Sequence, residues 1–202
     1  MPHGVAGGGR ARREEAACGR APCRTVAYRT DPLQKDGVTF AFVLRPSSER
    51  RSSVYMMIIR PATATEQATI TAIVRAARIN PSDLDWRRFL VAEQGGQIVG
   101  VVQVRPHRDG SRELASLAVV PEQQGQGVGA ALVGALLARE RGPLDLMCTD
   151  QMEGYYARFG FRRLASHELA PYFRRIMWIA RVISFIAKLG GMRMRMTVMR
   201  RG

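Results

Sequence analysis

An apolar strand that runs directly into a glycine-rich turn and then a helix is compatible with few folds. The chain contains one at Ala115-Ser-Leu-Ala-Val-Val-Pro-Glu-Gln-Gln-Gly-Gln-Gly-Val-Gly-Ala-Ala-Leu132. Without side chains at Gly125, Gly127 and Gly129 the backbone can approach a ligand closely, and the first turn of the helix leaves its N–H groups unpaired. Those donors lie at the positive end of the helix dipole and favour a phosphate or pyrophosphate. A P-loop requires Lys and then Ser or Thr after its last glycine, where Val128-Gly129-Ala130 stands here. A dinucleotide fingerprint requires Gly-x-Gly-x-x-Gly, and the third glycine arrives one residue early.

The pattern that fits is Gln-x-x-Gly-x-Gly at Gln124 to Gly129, preceded by Val119-Val120-Pro121, and a second motif follows at Tyr155-Tyr156-Ala157-Arg158-Phe159-Gly160-Phe161. In both motifs, and in their order, the chain resembles the GNAT superfamily of N-acetyltransferases. The resemblance implies a mixed α/β fold: a central, mostly antiparallel sheet with a splayed parallel pair and flanking helices. It also implies acetyl-CoA as cosubstrate, its pyrophosphate on the loop formed by Gln124, Gly125, Gln126, Gly127, Val128 and Gly129.

The element order read from the residues agrees with a mixed fold. Ile70, Ile73, Val74 and Ala77 recur at helical spacing between Thr65 and Arg78, with Thr63 or Thr65 as cap. Strands follow at Phe89–Glu93 and Ile98–Val104, joined by a Gly95-Gly96 hairpin turn, and a third at Glu113–Val120 follows a turn at His107–Ser111. The helix after the glycine-rich loop ends near Gly142-Pro143, and a strand at Leu144–Cys148, a short helix through Tyr156 and a strand from Phe161 come after it. A meander followed by βαβ elements predicts one parallel pair beside the long strand.

The two ends differ from the middle. Residues 56–161 are neutral, with 11 Arg against 11 acidic residues. Residues 1–55 carry 10 basic and 5 acidic residues, and residues 162–202 carry 10 and 1, so the net charge of +14 belongs to the ends. Residues 1–55 read as a disordered leader or a mis-assigned start, apart from a short strand at Val38–Leu44, and the domain is expected over 56–202. Residues 171–189 read as a basic, apolar helix, packed on the core or against a homodimer partner. Contact with an anionic membrane surface is the sharper alternative, and Arg181 argues against a span. Met192–Val198 alternates as a half-buried strand does, so the last strand is expected at 192–199.

No nucleic-acid motif accompanies the charge, so a nucleic-acid partner is not expected. Three cysteines, an odd number without a metal-ligand pattern, and no apolar leader point to a reducing cytoplasm and no metal.

Acetyl transfer to an amine requires a neutral nucleophile, support for the developing oxyanion and a proton for the departing thiolate. The resemblance places Leu117, Ala118 and Val119 along the pantetheine arm and assigns Tyr156 as the acid that protonates sulfur. A packing role for Tyr156 is the alternative, and Tyr155 is expected in the core. Thr149 or Asp150 is positioned to meet the pantetheine amides. Glu113 stands eleven residues before Gln124, where some members of the family place a base. Strict alternation puts it on the face of Ala115 and Leu117, partly buried; an exposed Glu113 paired with Arg112 or Arg105 weighs equally, and ordered water serves as base in many relatives. His107, in a turn, is expected in solvent. An acyl intermediate on Cys148 is the weaker route, since no histidine neighbours it in sequence. The expected activity is transfer to a primary amine by direct attack in a ternary complex. A non-catalytic acetyl-CoA sensor or docking module is the alternative.

Overall fold

The computed structural model describes the backbone of residues 24–25, 40–43, 56–188 and 195–202, with side chains for 57–180 and 195–202. Nine strands are described: β1 (Arg24–Thr25), β2 (Phe40–Val43), β3 (Met56–Pro61), β4 (Phe89–Gln94), β5 (Gln97–Pro106), β6 (Arg112–Val119), β7 (Leu144–Thr149), β8 (Arg162–Arg163) and β9 (Met196–Arg201). They form one sheet in the order β1-β2-β3-β4-β5-β6-β7-β9-β8. Every described neighbour pair is antiparallel except β6 and β7. The mixed α/β architecture with a single parallel pair is therefore present, and the seven strands from β3 onward carry it. Of the expected leader, residues 24–25 and 40–43 fall within the described residues as β1 and β2, and β2 pairs with β3.

Helix α1 (Gln67–Ala76) begins after a 3-10 turn, Ala64–Glu66, at whose start the Thr63 N–H donates to Glu66 Oε2 at 2.7 Å. Ile70 and Val74 bury its inner face against Phe89, Val91, Val101 and Ala118. On the opposite face of the sheet α2 (Val128–Arg139) sinks Val128, Leu132, Val133 and Leu136 into the main core with Leu90, Val102, Val104, Leu114 and Leu146. The short α3 (Glu153–Ala157) adds Tyr156 to that core. Helix α4 (Pro171–Lys188) packs Phe173 against Leu164 and Val198, whereas Trp178 and Ile179 remain 67% and 44% exposed. Among the described residues no helix is long and apolar enough to cross a membrane.

Two details depart from simple alternation. Ser116 adopts φ +55°, and the β5–β6 register shifts by one residue between the pairs Gln103↔Ala115 and Val101↔Ala118, so β6 carries a bulge. Beyond it the faces exchange: Leu114 and Leu117 both pack toward α2, and Ala118 toward α1. Leu117 therefore does not share a face with Glu113, as unbroken alternation predicts, because the extra residue reverses the parity. The last strand is not the half-buried alternating one expected at 192–199. It runs Met196–Arg201 and buries Thr197, Val198 and Met199 in succession, because it is inserted between β7 and β8 rather than left at an edge. Residues 192–194 lie outside the described residues.

Gly100 sets how closely α2 approaches the sheet. A Cβ there would lie 2.9 Å from Leu132 Cδ1, 3.1 Å from Val128 Cγ1 and 3.2 Å from the Ala118 carbonyl. Gly100→Val is expected to lower the unfolding free energy by about 1–3 kcal/mol through overpacking. Gly134→Ala, in the same region but facing open space, should raise it by up to about 1 kcal/mol. Chemical denaturation of the two variants checks both signs.

Candidate active site

β6 and β7 are paired only through Glu113↔Asp145, at their N-terminal ends. From there the strands part. β7 stays paired along its length to β9 on its other side, and β6 to β5. Beyond that pair the β6 residues Leu117, Ala118 and Val119 have no described strand partner on the β7 side. Backbone groups left in that way need a partner from water or a ligand.

The glycine-rich loop stands at the open end of the gap. Gly127 caps α2 with φ +86°, and Gly125 has φ +75°, conformations that L side chains rarely adopt. The first bond of α2 runs from the Ala131 N–H to the Gly127 carbonyl at 3.0 Å, so the N–H groups of the preceding turn are outside the helical ladder. The two glutamines serve the loop itself. Gln124 Nε2 donates to the Val119 carbonyl (3.0 Å), and Gln126 Nε2 to the Glu122 carbonyl (2.9 Å). Gln124 thus ties the loop to the end of β6. Tyr155, half-buried against the main core, reaches this turn: a Cβ on Gly129 would lie 3.2 Å from its hydroxyl. The expectation of a core aromatic holds for its ring and misses its hydroxyl, which spacing in α3 could not reveal.

On the other side of the gap, Thr149 ends β7 half-buried and Asp150 opens a 3-10 turn. The Asp150 N–H is already donated to the Arg195 carbonyl (3.2 Å), while its buried Oδ1 has no hydrogen-bond partner among the described residues. Tyr156 is 9% exposed, ringed by Tyr155 and Phe161. Burial raises its phenol well above the usual value, helped by neighbouring Tyr155 and Cys148. Cys148 is buried, its thiol pushed up to about 11 by burial and then by Glu153 and Asp150. Its Sγ contacts Met199 Sδ at 3.9 Å. A thiol in that state is a poor nucleophile.

Glu113 is buried, 7% exposed, so the exposed surface position is not what the fold creates. His107 Nε2 lies 3.0 Å from Glu113 Oε2, and Arg105 Nη1 lies 3.9 Å away. Burial raises the carboxyl, Arg105 and His107 oppose this, and Asp145 adds to it. His107 is not in solvent. Its side chain is 6% exposed and its ring is stacked on Tyr172, centroids 3.5 Å apart, because α4 folds over the turn that carries it. Asp145 is held by Arg200 through bonds of 2.6 and 2.8 Å. Around Glu113 of β6, His107, Tyr172, Asp145 and Arg200 form a polar cluster that local patterning does not indicate, since they come from the turn after β5, from α4, from β7 and from β9.

By strand rise, Glu113 and Leu117 are at most about 13 Å apart along β6. The stretch between them is lined by Ser116 and by Gln103, which is fully buried and donates to the Ser116 hydroxyl at 3.0 Å.

Residues 85–163 match the family described as acetyltransferase (GNAT) domain. Over 105 residues the chain is 30% identical to N-acetyltransferase 8B of Mus musculus, a match covering 48% of this chain and 45% of that protein, so it spans less than half the length of that curated relative. Its fold resembles N-acetylglutamate synthase from Neisseria gonorrhoeae, solved with coenzyme A and N-acetyl-glutamate (TM-score 0.53, 19% identity, 75% of this chain and 35% of that one). It also resembles a Mycobacterium tuberculosis protein solved in complex with CoA (TM-score 0.51, 20% identity, 70% of this chain and 96% of that one). The splayed pair and the loop at its mouth both lie within residues 85–163, the stretch that matches the GNAT acetyltransferase domain.

Proposed function

We propose that the chain transfers acetyl from acetyl-CoA to a primary amine by direct attack in a ternary complex. The observation that carries the reading is the single β6–β7 pairing beneath a glycine-rich helix N-terminus: a slot with unpaired backbone groups opens next to an anion-binding turn. The pyrophosphate is assigned to the N–H groups of residues 125–129 and the pantetheine arm to the gap, along Leu117, Ala118 and Val119 on one side and Thr149 and Asp150 on the other. The thioester carbonyl is polarised by β6 backbone N–H groups, which are preorganised because the bulge and the Gln124 contact fix the end of the strand.

Tyr156, a phenol that holds its proton at neutral pH and stands in α3 just after the end of β7, supplies the proton for the leaving sulfur. Glu113 takes a proton from the amine through water. Direct attack is preferred to an acyl-Cys148 step because the raised thiol would seldom be ionised. The amine enters on the α1 side of the sheet, where the Gln103–Ser116 pair lies beside the bulge. A cytoplasmic setting suits a chain with a free, buried Cys148.

Calorimetric titration of the full chain with acetyl-CoA is expected to show micromolar binding that Gly127→Glu abolishes. An intact, folded parent that binds nothing would remove the reading. In a thiol-release screen of polyamines, amino acids, small aromatic amines and peptide N-termini, Tyr156→Phe should cut turnover by about 10²- to 10⁴-fold with acetyl-CoA affinity retained. Cys148→Ala should keep turnover within about twofold of the parent, whereas a covalent route would lose it entirely.

A further inference from the structure

We propose that His107 is a positioning residue for acetyl transfer, holding the Glu113 carboxylate toward the acceptor side through the hydrogen bond at Nε2. The inference rests on the assignment of Glu113 as base.

The imidazole is fixed from three directions. Its backbone N–H closes the turn onto the Ser111 carbonyl (2.9 Å). One ring face lies flat on Tyr172, 18° from parallel, and Phe173 meets the ring edge-on with centroids 5.6 Å apart. Helix α4 is in turn seated on this turn, because the Tyr172 N–H donates to Asp109 Oδ2 at 2.8 Å, while the same carboxylate accepts from the Ser111 N–H and hydroxyl at 3.1 and 2.6 Å. With its plane set by these contacts, the ring directs Nε2 at Glu113 Oε2, 3.0 Å away. A buried imidazole needs a polar partner, and the one it meets here is the candidate base.

The other groups around Glu113 are committed elsewhere. Arg105, from β5, gives its short bond to the Ser82 carbonyl (2.9 Å), lies 3.6 Å from Asp83, and approaches Glu113 only to 3.9 Å. Asp145, from β7, is closed by Arg200 of β9. The Tyr172 phenol, from α4, is itself raised by burial. Among the described residues His107 therefore supplies the directional hydrogen bond to this carboxylate, and an anion in a dry site depends on such a bond.

In the reaction, RNH₃⁺ gives one proton through water to Glu113, and the freed lone pair forms the C–N bond at the thioester carbonyl. The C–S bond then breaks with its electron pair on sulfur, Tyr156 protonates the sulfur, and the second amine proton restores the phenol. The proton on Glu113 leaves to solvent, so amide, free thiol and one proton are the products.

The test uses the full chain with ¹³C-labelled Glu carboxyls, titrated by NMR alongside His107→Phe, which retains a ring on Tyr172, and His107→Gln, whose amide N–H can reach the same oxygen. The Glu113 midpoint should rise by about one unit or more in His107→Phe and return to within about half a unit in His107→Gln. The acid limb of turnover, measured with the best amine of the screen, should move by the same amount, giving about a tenfold lower rate on that limb and recovery at high pH. A purely structural role would depress the rate equally at every pH. An unmoved midpoint in a folded His107→Phe chain that still binds acetyl-CoA overturns the inference. Glu113→Gln separates the two claims: parent-level turnover in that variant means that Glu113 is not the base, whereas an inactive Glu113→Gln beside an unmoved limb in His107→Phe removes only the role of His107.

Discussion

The separation of β6 from β7 is the constraint on which the rest of the site depends. Parallel strands that share one residue pair and then diverge leave a row of main-chain donors and acceptors in the interior, which no compact domain tolerates without partners. Each neighbouring feature holds the strands in that position. β9, inserted between β7 and β8, pairs β7 along its outer edge from Leu144 to Thr149 and so fixes the line that β7 follows. The bulge at Ser116 turns the end of β6 so that Leu117 and Val119 anchor in the core beneath α2. Gln124 then binds the last carbonyl of β6 and places the glycine-rich turn over the opening. The gap and the position of the glycine-rich turn at its mouth are consequences of one strand geometry.

The closed end of the gap is where charge concentrates. Glu113 and Asp145 are cross-strand partners, both nearly inaccessible, and the neighbouring Asp145 adds to the rise that burial imposes on the Glu113 carboxyl. The fold separates their fates. Asp145 receives a two-pronged guanidinium from Arg200 and becomes a structural anion that ties β7 to β9. Glu113 receives a weaker, longer-range cation in Arg105 and a single bond from His107, and burial dominates its behaviour. A buried carboxylate with raised proton affinity can exchange a proton more readily than one satisfied by arginine.

Much of this was legible in the chain. Three glycines at alternate positions after an apolar strand can be explained by a turn needing positive φ and close backbone approach, and Gly125 and Gly127 adopt that conformation. The hairpin at Gly95-Gly96 and the helix carrying Ile70 and Val74 follow from local preference, and both stand where periodicity puts them. His107 was illegible for a physical reason. A histidine in a polar turn is solvated unless something covers it, and the cover is Tyr172, held by an Asp109 contact that spans 63 residues of sequence. The parity error at Leu117 has the same character: a bulge is set by pairing with β5, and no residue in β6 announces it.

The sequence by itself determined the local geometry: where the backbone must turn, which helix faces are apolar, and which loop presents free N–H groups, because these depend on residues within a few positions of one another. Tertiary structure decided the chemistry of the closed end. The burial of Glu113, its bond to His107 and the pairing of Asp145 with Arg200 arise only when β5, β6, β7, β9 and α4 meet, since proton affinity is set by the dielectric and the charges that distant segments bring together.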